Sequence, residues 1–140
     1  MEVQVNYLAV FLAMISSMVV GAIWYSKSVF GAQWQKLAKL TDKQLLEGGA
    51  KPMVITAVVS LITAFVLAHV TFLSHQFYNH GSFLQDALTT AFWLWLGLTA
   101  ARIITHNVFE HRPTKLTVLA VAHEFVTLEV MALIIGLMKP

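Results

Sequence analysis

Residues 115–137 read KLTVLAVAHEFVTLEVMALIIGL. At 1.5 Å rise per residue this run is long enough to cross about 30 Å of hydrocarbon. It is apolar enough to do so, yet it carries His123, Glu124 and Glu129. A charged side chain at the centre of a membrane helix costs about 3 kcal/mol on insertion scales. Such groups persist only where another helix supplies a partner or where water reaches them. The stretch therefore predicts a membrane span packed against others, with its acids turned inward.

The remaining sequence supplies those other spans. The chain has 140 residues, 58% hydrophobic and only 11% charged, with a mean hydropathy of +0.72. A soluble domain would carry about a quarter charged residues. Four apolar runs are long enough to cross a bilayer: about 5–25, 53–73, 83–104 and 116–137. The first has no Lys or Arg before it and no A-x-A site after it, so it is expected as a retained helix rather than a signal peptide. The fold class expected is all-α, a four-transmembrane-helix bundle forming a single domain over 1–140. No cysteine is present, which excludes disulfides, thiolate metal sites and cysteine nucleophiles.

The basic residues set the expected orientation. Lys27, Lys36, Lys39, Lys43 and Lys51 lie in the first loop, and Arg112 and Lys115 lie in the third, with Arg102 close by. The other side holds only Lys139. Short loops rich in Lys and Arg stay in the cytoplasm. Both termini are thus expected outside, and the first and third loops cytoplasmic, in a bacterial cytoplasmic membrane. The lipid bilayer is the expected partner. A chain this small is also expected to form a homo-oligomer.

Helix faces follow from spacing. Ala9, Ala13, Ser17 and Gly21 recur every four residues in the first run, and Thr56, Ser60, Ala64 and Ala68 do so in the second. Small residues in a stripe let helices approach closely, so these two stripes are expected to face each other. Trp24, Tyr25 and Trp34 suit the headgroup zone as interfacial anchors. Phe30, Trp34, Leu37 and Ala38 share one helical face, with Lys36 and Lys39 turned away. This predicts a short interfacial helix in the first cytoplasmic loop. Thr41 to Gln44 has capping-box spacing, and Gly48-Gly49 ends that turn. The second loop, with His75, Asn79, His80 and Gly81, reads as a plain connection.

Several of these residues also carry a resemblance. Asn6-Tyr7-Leu8-Ala9-Val10, Gly21-x-x-Trp24-Tyr25-Ser26, Phe30-Gly31, Trp34, Phe109-Glu110-x-Arg112-Pro113-x-Lys115-Leu116 and His123 occur in that order. Together they resemble the membrane family known as domain of unknown function 1761 (DUF1761). The resemblance covers nearly the whole chain and implies a small four-helix integral membrane protein, with no activity assigned. This chain has Lys27 where members typically have Pro, His111 where they often have Gly, and Ala122 where an aromatic residue often precedes the histidine.

The groups that could carry chemistry are His69, Arg102, His106, Glu110, His123, Glu124 and Glu129. Arg102, His106 and Glu110 are four apart and form one stripe. By depth, Arg102 or His106 is expected to pair with Glu124, and His69 with Glu129. The favoured reading makes these pairs interhelical ionic clamps in a structural or interaction protein. The alternative is a small proton- or cation-coupled transporter or channel using the same His and Glu groups. A metal site on His106, His123 and Glu124 is a third reading, but His123-Glu124 lacks the second histidine of H-E-x-x-H. No P-loop, G-x-S-x-G or dinucleotide fingerprint is present, so no enzyme, no cofactor and no metal is expected. The first-loop lysines are explained by topology and anionic lipid, with no nucleic acid partner.

Overall fold

The computed structural model describes residues 2–78 and 81–140. Asn79 and His80 of the second loop lie outside the described residues. Among those described there are helices and no strands. Four helices are long and apolar enough to cross a membrane: Tyr7–Trp24, Lys51–Tyr78, Phe83–Phe109 and Thr114–Met138. They are called here the first to fourth spans. The last three run past the apolar segments that suggest them, because polar residues at their ends continue the helix. His75 and Gln76 remain helical, which shortens the second loop.

Caps fix where the helices start. Asn6 accepts a hydrogen bond from the Ala9 N–H, and its amide donates to the carbonyls of Met138 and Lys139. One side chain thereby caps the first span and holds the end of the fourth beside it. Ser82 and Gln85 form a capping box at the start of the third span. Thr41 and Gln44 form another on the short helix Asp42–Glu47, as their spacing predicts. His111, in the third loop, has φ 53. That is the left-handed region where a Cβ is strained.

The first span packs against the second and the fourth, and the third also packs against the second and the fourth. The molecule has two ends. At the terminal end, Gln4, His75, Gly81, Ser82, Lys139 and Pro140 border one shallow groove. At the basic end lie the first and third loops. The core is concentrated toward the terminal end. Val10, Ala13, Ala64, Leu67, Ala68, Phe72, Phe83, Ala87, Ala91, Leu128, Met131, Ala132 and Ile135 form one buried cluster. Gly136 allows the third and fourth spans to touch there, since a Cβ on it would lie 2.7 Å from Leu84 Cδ1 and 2.8 Å from Leu84 Cα.

The third span contains a π-helical stretch, Trp95–Ala100. A π turn adds residues to one turn and rotates everything beyond it. A straight α-helix with Ala87 and Ala91 inward would bring Leu98, Arg102 and Thr105 to the same side. Instead Ala100 is buried and Ile103 and Asn107 are half-buried, while Leu98 is 68% exposed and Arg102 and His106 are exposed. Two bonds hold this register against the fourth span: Trp95 Nε1–H donates to the Val121 carbonyl at 2.9 Å, and Asn107 donates to Thr117 Oγ1 at 2.9 Å.

Candidate functional site

At the basic end the chain turns sharply after the first span. The Phe30 N–H bonds back to the Trp24 carbonyl, and the Gly31 N–H to that of Ser26. The turn requires glycine at 31, where a Cβ would sit 2.1 Å from the Tyr25 carbonyl oxygen. It leads into the helix Gly31–Ala38, which packs against the fourth span. Phe30, Trp34, Leu37 and Ala38 are half-buried there, and Lys36 and Lys39 are exposed.

This turn builds an aromatic cluster around His123. Phe30 lies 4.6 Å from Trp24 between ring centroids, and Trp34 lies 5.2 Å from Tyr25. Tyr25 and Trp24 in turn lie 4.9 Å and 5.9 Å from the imidazole. Gly21 leaves room for it, since a Cβ there would be 3.7 Å from His123 Nε2. His123 Nδ1 is 3.4 Å from Glu124 Oε1, and its Nε2 is 3.4 Å from Thr127 Oγ1. The Trp24 indole N–H is buried in this cluster without a hydrogen-bond partner among the described residues.

Beside the cluster is a cavity of about 600 Å³. Ser17, Met18, Gly21, Ala22 and Tyr25 of the first span and its end form one wall. Met53, Ile55, Thr56, Val59, Ser60 and Thr63 of the second span form another, and His123, Glu124, Thr127, Leu128 and Met131 of the fourth complete it. Among the described residues no lysine or arginine lines it. The cavity exists because the first and second spans meet at one end only. Ala9 and Ala13 are buried, as are Ala64 and Ala68, whereas Gly21 and Ser60 are half-buried and Thr56 is exposed. Ser17 is buried at the margin. The two small-residue stripes thus supply both the close contact and, farther along, two cavity walls.

Among the described residues the ionic clamps expected from depth do not form. Among the described residues Glu124 has one ionisable partner within ion-pair distance, His123 of its own helix. Arg102 and His106 are carried to an exposed face by the π segment. His69 donates Nδ1–H to the Phe65 carbonyl on its own helix at 3.0 Å, and its ring lies tilted against that of Phe65 at 4.2 Å. It forms no pair with Glu129, which is half-buried and lies outside the cavity lining. Glu110 pairs with Arg112 at 3.0 Å in the third loop. His106, His123 and Glu124 do not converge, and no group of three metal-ligating side chains does among the described residues.

One ionic contact between spans was not expected. His75 Nδ1–H donates to Asp86 Oδ2 at 2.6 Å, joining the second and third spans at the terminal end. Reading His75 as loop hides it. The available signal is a histidine and an aspartate on either side of a short turn, with Asp86 in the first turn of a helix.

Gly21, Trp24, Tyr25, Phe30, Gly31 and Trp34, at and after the end of the first span, thus meet His123 of the fourth, and all seven are among the residues that carry the family resemblance. Residues 8–136 match the family model described as protein of unknown function (DUF1761). The chain belongs to the DUF1761 family. Comparison with curated proteins and with solved structures yields no match. The DUF1761 match spans every residue that lines the cavity, and it assigns no role to them.

Proposed function

We propose that this DUF1761 protein is a small integral membrane transporter or channel, a four-helix bundle whose working site is the cavity holding Glu124 and His123. The observation that carries the reading is the cavity itself. It is a largely apolar space between spans, with Ser17, Thr56, Ser60, Thr63, His123, Glu124 and Thr127 as its polar groups; its lining runs from Tyr25 and Met53 at the basic end, where it opens, to the buried cluster of alanines, Leu67 and Met131. One-sided access to a site partway through the membrane is what alternating access requires of one state. A scaffold held by ionic clamps has less support, because Arg102, His106 and His69 all point elsewhere.

The orientation that fits has both termini outside and the first and third loops in the cytoplasm. It is supported by five lysines in the first loop and by Arg112 and Lys115 in the third, following the positive-inside rule. In that orientation the helix Gly31–Ala38 lies on the cytoplasmic leaflet, with Lys36 and Lys39 toward the headgroups. The cavity then opens inward. Exposed Val54, Val58 and Ile62 of the second span meet acyl chains.

The test is flux. Purified protein in liposomes is assayed with an internal pH dye, under proton gradients and gradients of monovalent cations. A transporter moves one of these, and Glu124→Gln, still monodisperse in detergent, does not. A scaffold moves none, and the same substitution disturbs assembly instead.

A further inference from the structure

Resting on that reading, we infer that the cavity takes a lipophilic monovalent cation, a protonated amine or quaternary onium bearing apolar groups, with Glu124 as its counter-ion. Three features converge on this class. The first is charge. The end of the molecule that holds the cavity is rich in lysine, yet among the described residues none lines it, and its one carboxylate is Glu124, 39% exposed. A site with a carboxylate and no fixed cation, in a low-dielectric surround, favours positive ligands and rejects anions.

The second feature is the apolar lining. Met18, Ile55, Val59, Leu128 and Met131 flank the polar groups. A small hydrated ion gains nothing from such walls, whereas the substituents of an onium ion bury against them. Tyr25 also lines the space, its ring 4.9 Å from the His123 imidazole and 5.2 Å from Trp34, so an aromatic group stands at the site. Rings within about 6 Å of a cation attract it through their quadrupoles.

The third feature is access. The third span makes its main contacts with the second through Phe83–Leu94, near the terminal end. Toward the basic end the second span stands apart, with Val54, Val58 and Ile62 exposed. The gap therefore reaches the bilayer side as well as the aqueous end, so an amphiphile dissolved in the leaflet can enter. A cavity of about 600 Å³ is within the range of small-molecule sites.

The test uses two ions of nearly the same size and shape and opposite charge, tetraphenylphosphonium and tetraphenylborate. Saturable binding is read by quenching of tryptophan fluorescence in the full-length protein in detergent. The expected result is saturable phosphonium binding, weakened at least about tenfold in Glu124→Gln. It is unchanged in Glu129→Gln, and no saturable borate binding occurs. Should Glu124→Gln fail to assemble, the phosphonium–borate pair on the wild type still decides the charge preference, and Ser60→Trp, which fills the cavity, decides the location. Absence of phosphonium binding, equal borate binding, or binding indifferent to Glu124 overturns the inference. Glu124-dependent flux of protons or small cations without phosphonium binding would sink this ligand class and leave the transport reading standing. Charge-selective binding without any flux would do the reverse.

Discussion

The same four helices behave differently at their two ends. Toward the terminal end, small residues on neighbouring spans meet without gaps: Ala13, Ala64, Ala87, Ala91 and Ala132 are buried. Toward the basic end the first and second spans carry the same kind of stripe, Gly21 on one and Thr56 and Ser60 on the other, yet the helices stand apart. A small-residue stripe permits close approach but does not enforce it. In lipid no hydrophobic force pushes helices together, so contact persists only where packing and polar bonds hold it. The terminal end has those bonds in His75–Asp86 and in Asn6 with the Met138 and Lys139 carbonyls. At the basic end the polar groups are spent within the fourth span and on the aromatic cluster, which fastens the first span to the fourth and leaves the second free.

Two glycine substitutions test this contrast with the largest expected effect. Gly136→Ala pushes a methyl into Leu84 and Ala87 and should lower stability by about 1–3 kcal/mol in detergent unfolding. Gly21→Ala, whose methyl meets only His123 Nε2 at 3.7 Å, should change it by no more than about 0.5 kcal/mol. Equal effects would remove the distinction between the ends.

Next in size is the ionic contact at the closed end. Asp86→Ala leaves His75 without its acceptor and should cost about 2 kcal/mol. Arg102→Ala, on an exposed face, should cost well under that. If Arg102→Ala proves the more damaging, the register imposed by the π segment is wrong. Asn6→Ala removes both a cap and the tie to the fourth span, with an expected loss of about 1 kcal/mol. The last effect has the opposite sign. His111→Gly relieves a left-handed backbone and should raise stability by about 1 kcal/mol, provided the third loop keeps its turn.

Much of the fold is legible in hydropathy alone. The four long apolar helices, the capping box at Thr41 and the half-buried face of Phe30, Trp34, Leu37 and Ala38 all follow from composition and spacing. What escapes is rotation and divergence. Arg102 sits at the depth that would suit Glu124 but on the wrong face, because the π stretch Trp95–Ala100 intervenes and hydropathy carries no sign of it. The cavity escapes for a related reason. Whether Ser60 touches the first span depends on where two long helices part, which is set by contacts many turns away at Asn6 and His75. The convergence on His123 was half visible. Trp24, Tyr25 and Trp34 read as headgroup anchors, which is a property of each ring alone, while their shared contact needs the turn that Gly31 permits.

The central claim is that solute reaches the middle of the protein from the basic end and no farther. The chain has no cysteine, so single cysteines can be placed at Thr56, Ser60, Ala64 and Ala68 along one face of the second span. The measurement is labelling by a membrane-impermeant thiol reagent, applied from either side of sealed vesicles. The account predicts rapid reaction at 56 and 60 from the side of the first loop, and none at 64 or 68 from either side. Protection of Ser60→Cys from both sides, or reaction at all four positions, would contradict it.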